Sequence, residues 1–149
     1  MSGAVAVSIA ALAAGAPFEA HSEPTKPSAQ FDTAWAELVQ GRPLATGRIK
    51  LDIPRLAESG NSVSLKVTVD APMTEADHVR LIHILSEQNP IATIGRFHLS
   101  PRSGLGEVET SIRLATTQNV RVVAEMSDGS LQTTSAEVVV LIAACLDPG

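Results

Sequence analysis

The sequence predicts a mainly β domain, an immunoglobulin-like antiparallel β-sandwich of about seven strands preceded by one N-terminal helix, and three observations carry that expectation. From Ile49 onward apolar and polar residues alternate with a period of two, as in strands buried on one face. Turn formers punctuate the alternating runs, as in Asp70-Ala71-Pro72, Gly104-Leu105-Gly106 and Ser127-Asp128-Gly129-Ser130, and many short strands with frequent turns over roughly a hundred residues is the pattern of a two-sheet sandwich. The helical period appears once, ahead of the strands. With one cysteine and one tryptophan in the chain, the Cys–Trp–Cys framework of antibody domains is absent.

Taken in order, residues 1–22 are expected to be a signal peptide. Gly3–Ala16 is an uncharged, alanine-rich run, far shorter than the ~20 residues a spanning helix needs. Ala20-His21-Ser22 places small residues where a leader is cut, so the mature chain would start near Glu23. Met1-Ser2-Gly3 has no Lys or Arg, and the basic opening of such a leader is expected upstream. Residues 23–46 form a linker and the helix. Glu23-Pro24-Thr25-Lys26-Pro27-Ser28 is a polar spacer; Phe31, Trp35, Leu38 and Val39 then fall at i, i+4, i+7 and i+8, and Gly41 and Pro43 end the helix.

The sandwich spans 47–142. Ile49, Leu51 and Ile53 make one strand, and Val63, Leu65, Val67 and Val69 another. His78 to Ser86 is more uniformly apolar, Ile91 to Leu99 is mixed, and Val108, Thr110, Ile112 and Leu114 alternate with charged and polar residues. Val120 to Met126 and Leu131 to Ile142 flank the Asp128-Gly129 turn as a hairpin, with Val138, Val140 and Ile142 on one face. The two-sided apolar pattern of Val79 to Leu85 marks a sheet face that needs cover, either from a partner subunit or from the helix holding Trp35. Residues 143–149 are left as a C-terminal arm.

Composition narrows the functional classes. The 149 residues are 44% hydrophobic, enough for a real core, while aromatics are only 3% and the formal charge is -5. A nucleic-acid partner needs a basic stripe and stacking aromatics, and neither is present. Neither a membrane span nor a metal motif is expected: His78, His83 and His98 lack the close spacing of zinc ligands. No catalytic residue set emerges, because no carboxylate pair or nucleophile–base pair is singled out.

The feature that remains is Cys145, four residues from the end and alone. An unpaired thiol is inert packing, an intermolecular bridge, or a reactive group. Its place in a terminal segment that Asp147, Pro148 and Gly149 cannot extend as a buried strand argues for exposure. A terminal thiol is poorly placed as a rigid nucleophile but well placed to travel. At ~3.3–3.6 Å per residue, the arm after Ile142 would carry the sulfur roughly 10 Å beyond the sheet.

The stretch Val63 to Met73, then Ile82-His83-Ile84 with Glu87 and Asn89-Pro90, Phe97-His98, Ile112-Arg113-Leu114-Ala115, Gln118 and Ala124 to Ser130 resembles the SoxY family. These are sulfur-carrier subunits of the periplasmic thiosulfate-oxidising system. The resemblance runs from about Ile49 to Cys145 and implies that Cys145 is the covalent sulfur-attachment site, on a carrier arm comprising Ala143, Ala144, Leu146 and Asp147. It implies a periplasmic protein exported by the twin-arginine route, with no resident cofactor beyond sulfur intermediates bound to Cys145. The implied partners are a SoxZ-like subunit, a thiosulfate-oxidising haem enzyme and a sulfate-releasing hydrolase. The chain departs from the family's Gly-Gly-Cys-Gly-Gly ending, with Ala143 and Ala144 before the cysteine and Leu146-Asp147-Pro148 after it. The alternatives are a paralogue whose modified arm carries another sulfur species, or an exported sandwich that uses Cys145 for an interchain disulfide.

Overall fold

The computed structural model describes Gly3 and residues 26–145. The expected leader, apart from Gly3, and the arm residues Leu146 and Asp147 lie outside the described residues.

Helix α1 spans Ala29–Val39. Ser28 caps its start, accepting the Phe31 N–H on Oγ at 3.2 Å, and Asp32 lies in the first turn, where the helix dipole favours a negative charge. The left-handed step that ends it comes at Gln40 (φ 48°), one residue ahead of the glycine expected to do so, and Gly41 (φ 71°) continues it.

The strands are β1 (Leu44–Ala45), β2 (Ile49–Asp52), β3 (Leu56–Ser59), β4 (Val63–Val69), β5 (Val79–Ser86), β6 (Thr93–His98), β7 (Glu107–Ile112), β8 (Gln118–Met126) and β9 (Leu131–Ile142). They form two sheets. The larger has the order β1-β9-β8-β5-β6, with β3 also paired to β9; the smaller is β2-β4-β7. The expected antiparallel sandwich is present with two additions, because β1 and β3 both join β9 in parallel. At the β8–β9 hairpin, Gly129 takes φ 86° and Asp128 Oδ1 accepts from the Ser130 N–H at 2.9 Å.

The main core lies between the sheets. Val63, Leu65, Val67 and Val69 of β4 meet Ile82 and Ile84 of β5 and Val120, Val122 and Ala124 of β8. A second core lies on the other side of the larger sheet, where Phe31 of α1 joins Leu85, Ala92, Val123 and Leu131, with Trp35, Leu38 and Val39 packed against them. The two-sided pattern of Val79 to Leu85 is thereby explained. Helix α1 covers the outer face of β5 within the chain, so that segment is not an open partner surface.

Candidate functional site

The site is built where β9 runs out. Its pairing with β8 ends at Gln118↔Val138, yet the strand continues to Ile142, so the last residues need other partners for their backbone groups. On one side β3 supplies them, with Leu56 opposite Val139 and Ser59 opposite Ile142. On the other, Thr117 substitutes for a strand, its Oγ1 accepting the Val140 N–H at 2.9 Å. Gly60 then donates its N–H to the Ile142 carbonyl (2.8 Å), its own carbonyl accepts from Leu114 N–H (2.8 Å), and Leu114 O accepts from Ala144 N–H (3.3 Å).

Gly60 is required for that knot. A Cβ there would collide with the Leu114 carbonyl oxygen and stand 3.1 Å from Ala144 N, so only a bare backbone lets the three segments meet. The loop that offers Leu114 is fixed from behind by two buried amides. Asn89 donates to Arg113 O at 2.8 Å and accepts from Ala115 N–H at 2.9 Å, while Gln118 Nε2 donates to Asn89 Oδ1 at 2.9 Å. Beside this loop lies an open cleft of about 380 Å³ lined by Asn89, Pro90, Ile91, Ile94, Ile112 and Arg113 among others.

Cys145 is exposed, directly after this anchorage. Ala143 is exposed as well, but Ala144 is 8% exposed and held by its hydrogen bond, so the anchorage reaches further into the arm than the sequence suggests. Around the exit Leu56, Leu141 and Ile142 are 56%, 63% and 64% exposed.

The histidines are elsewhere. His78 Nδ1 lies 2.9 Å from Thr74 O near the start of β5, His83 is buried beneath α1, and His98 is exposed at the end of β6. Among the described residues no group of three or more His, Cys, Asp and Glu side chains stands close enough to hold a metal ion. The structure adds Gly60, Leu114 and Thr117 to the site. Gly60-Asn61 carries only a turn signal in sequence, and main-chain contacts between distant segments leave no pattern to find.

Comparison with known proteins bears on this geometry. Residues 36–145 match the family model for sulfur oxidation protein SoxY. Comparison with curated proteins finds no match. Among solved structures the chain is similar to the sulfur carrier protein SoxY from Chlorobium limicola f thiosulfatophilum, at 27% identity and a TM-score of 0.61, covering 74% of this chain and 90% of that one. It is also similar to the E23A superoxide reductase (neelaredoxin) of Ignicoccus hospitalis, at 20% identity, a TM-score of 0.57 and coverage of 64% and 82%. The superoxide reductase from Nanoarchaeum equitans follows at 12% identity and a TM-score of 0.54, over 64% of this chain and 100% of that one. The likeness to the two reductases is one of fold.

Proposed function

From the premise that this chain belongs to the SoxY family, and so to sulfur oxidation, we propose that it is a covalent sulfur carrier whose cargo is held on Cys145. The observation that carries the reading is the placement of the lone thiol, exposed and one residue past the last anchored backbone group. In the loading step the thiol joins the sulfane sulfur of thiosulfate. A disulfide bond forms, one proton leaves, and two electrons pass to a haem enzyme, giving cysteine S-thiosulfonate. A hydrolase then adds water to the terminal sulfonate sulfur; the S–S bond to that group breaks, sulfate and protons are released, and a persulfide remains. Both adducts are reversible caps on the thiol. The chain supplies no turnover of its own.

The arm would comprise Ala143, Ala144, Leu146 and Asp147 around the cysteine, with reach increasing when Ala144 leaves Leu114. A periplasmic setting, a SoxZ-like partner subunit, and no resident cofactor complete the proposal. Intact-mass measurement on protein from thiosulfate-grown cells tests it. Thiosulfonate and persulfide adducts should appear, vanish on reduction, and be missing from Cys145→Ser; protein that stays unmodified while its partner enzymes are expressed would sink the carrier role. Changing Ala143, Ala144, Leu146 and Asp147 to glycine should leave folding alone and raise turnover by the hydrolase, as glycine frees the backbone to thread a channel.

The exposed thiol also favours a second reading, a structural interchain disulfide. Non-reducing electrophoresis separates them: a bridge is near-quantitative, whereas a carrier shows thiol, adducts and some dimer.

A further inference from the structure

Leu114 is the residue on which the tail hangs, and it is gripped from two sides. Its own N–H and C=O face Gly60 O at 2.8 Å and Ala144 N–H at 3.3 Å. The backbone groups that flank it, Arg113 C=O and Ala115 N–H, are both met by one side chain. Asn89 Nδ2 donates to Arg113 O at 2.8 Å, and Asn89 Oδ1 accepts from Ala115 N–H at 2.9 Å. The amide thus does for this loop what the backbone of a neighbouring strand does in a sheet.

A peptide group is planar and trans, so turning one end turns the other. Leu114 C=O and Ala115 N–H are the two ends of one such group, and Asn89 holds the end away from the arm. The direction of the carbonyl that Ala144 reaches is therefore set from behind. The bond that Ala115 N–H donates also polarises Leu114 C=O, making it a better acceptor for Ala144 N–H. Asn89 is fixed in turn. Gln118 Nε2 donates to Asn89 Oδ1 at 2.9 Å and to Thr116 O at 3.1 Å, while Gln118 Oε1 accepts from Gln88 N–H at 2.9 Å. Reversing the Asn89 amide would set its NH2 group against two donors, so one orientation alone is satisfied. Both side chains are buried, where an amide left without partners is costly.

We propose that Asn89 is the positioning residue of the C-terminal arm: its side-chain amide aims the Leu114 carbonyl and so decides how firmly Ala144, and the thiol next to it, is parked. The relay runs from Gln118 through Asn89 and the Leu114–Ala115 peptide to Ala144, and stops one residue short of Cys145. With the amide in place the sulfur sets out from one position. Without it the carbonyl is free to turn, and the last hold on the arm moves back to Ile142, whose carbonyl accepts from Gly60 N–H. What the parking serves, a defined starting point for a sulfur that must reach an enzyme, rests on the carrier reading; the relay itself does not.

The test uses the full chain, in which Cys145 is the one cysteine and takes a nitroxide spin label at a single place. Asn89→Ala should sharpen the electron spin resonance spectrum of the label. It should also speed hydrogen exchange at the Ala144 amide by about tenfold, the scale of one hydrogen bond, relative to Val122 in the middle of the larger sheet. Ala144→Pro supplies the control, since proline has no N–H to be held: its label should already be mobile, and adding Asn89→Ala should change nothing more. If Asn89→Ala does not fold, Gln118→Met, which removes the donor to Asn89 and keeps the length of the side chain, should loosen the arm in the same direction by a smaller factor. A spectrum and an Ala144 exchange rate that stay unchanged in the folded variant would overturn the proposal. So would an equal loosening in the Ala144→Pro background, which would mean that Asn89 only stabilises the domain. Neither readout needs a loaded thiol, so the inference and the carrier reading fail separately: adducts missing from Cys145 would remove the second and leave the first.

Discussion

At the N-terminal end of the described chain, α1 is fastened by side chains. Phe31 and Trp35 stack with ring centroids 5.6 Å apart, and the Arg121 guanidinium lies over both rings, 5.5 Å and 5.1 Å from their centroids. Arg121 is itself held by the buried Glu87 at 2.8 Å. At the C-terminal end, Val140 to Ala144 is fastened mostly by main-chain atoms, through Thr117, Gly60 and Leu114, while Leu141 and Ile142 face solvent. Side-chain fastening depends on which residues are present. Main-chain fastening tolerates most residues on the strand it holds and depends instead on the glycine that permits close approach. The helix thus has a demanding sequence, whereas the tail carries the small Ala143 and Ala144 and is still anchored, through the Ala144 N–H.

The largest test of this contrast is Phe31→Ala. Phe31 is 4% exposed at the centre of the outer core, and its truncation should cost about 3–4 kcal/mol in urea unfolding. A loss under about 1 kcal/mol would mean that side chains do not hold the helix. Gly60→Ala attacks the other end. It should cost about 1–3 kcal/mol, as overpacking does, and should speed hydrogen exchange at Ala144 and thiol labelling at Cys145; unchanged exchange would place the anchorage elsewhere.

A weaker effect is expected from pH. Burial first, then the charge of Arg96, lowers the His83 pKa below 6.5, with Glu125 only partly opposing. The unfolded chain then takes up the proton more readily. Stability is complete above 6.5, falls as pH drops from there toward the lowered folded value, and levels off below it. His83→Gln should flatten the unfolding free energy across that window, and an unchanged slope would refute the assignment. Smallest of all, Cys145→Ser should shift stability by no more than ~0.5 kcal/mol, since an exposed thiol gives up no core contact. A loss of several kcal/mol would show the cysteine packed.

Most of the fold was legible because it rests on alternation. The helix, the hairpin at Asp128-Gly129 and the strands holding Leu65, Ile82 and Val122 follow from period and turn chemistry. Leu44–Ala45 and Leu56–Ser59 escaped, being too short to show a period and defined by parallel pairing with a strand far along the chain. Val79 to Leu85 was correctly marked as two-sided, but periodicity does not say whether a helix or a partner supplies the cover. Cys145 stood out by its solitude. Its anchorage did not, because contacts such as Leu114 O to Ala144 N involve atoms that every residue has. Glu87, Asn89 and Gln118, conspicuous in the resemblance, turn out to brace α1 and the loop behind that anchorage.

The row of bonds that ends at Ala144 acts as a reel. A pull on Cys145 would meet first the single bond from Ala144 to Leu114, and only then the stretch from Val140 to Ile142, which Thr117 and Gly60 hold together with its pairing to β3. Releasing Ala144 costs only about 0.5–1.5 kcal/mol net and frees ~3.3–3.6 Å of line, whereas going further also peels β9 from β3. On the carrier reading proposed above, the tether has one length with Ala144 held and a longer one with it free, so a short tail reaches two depths.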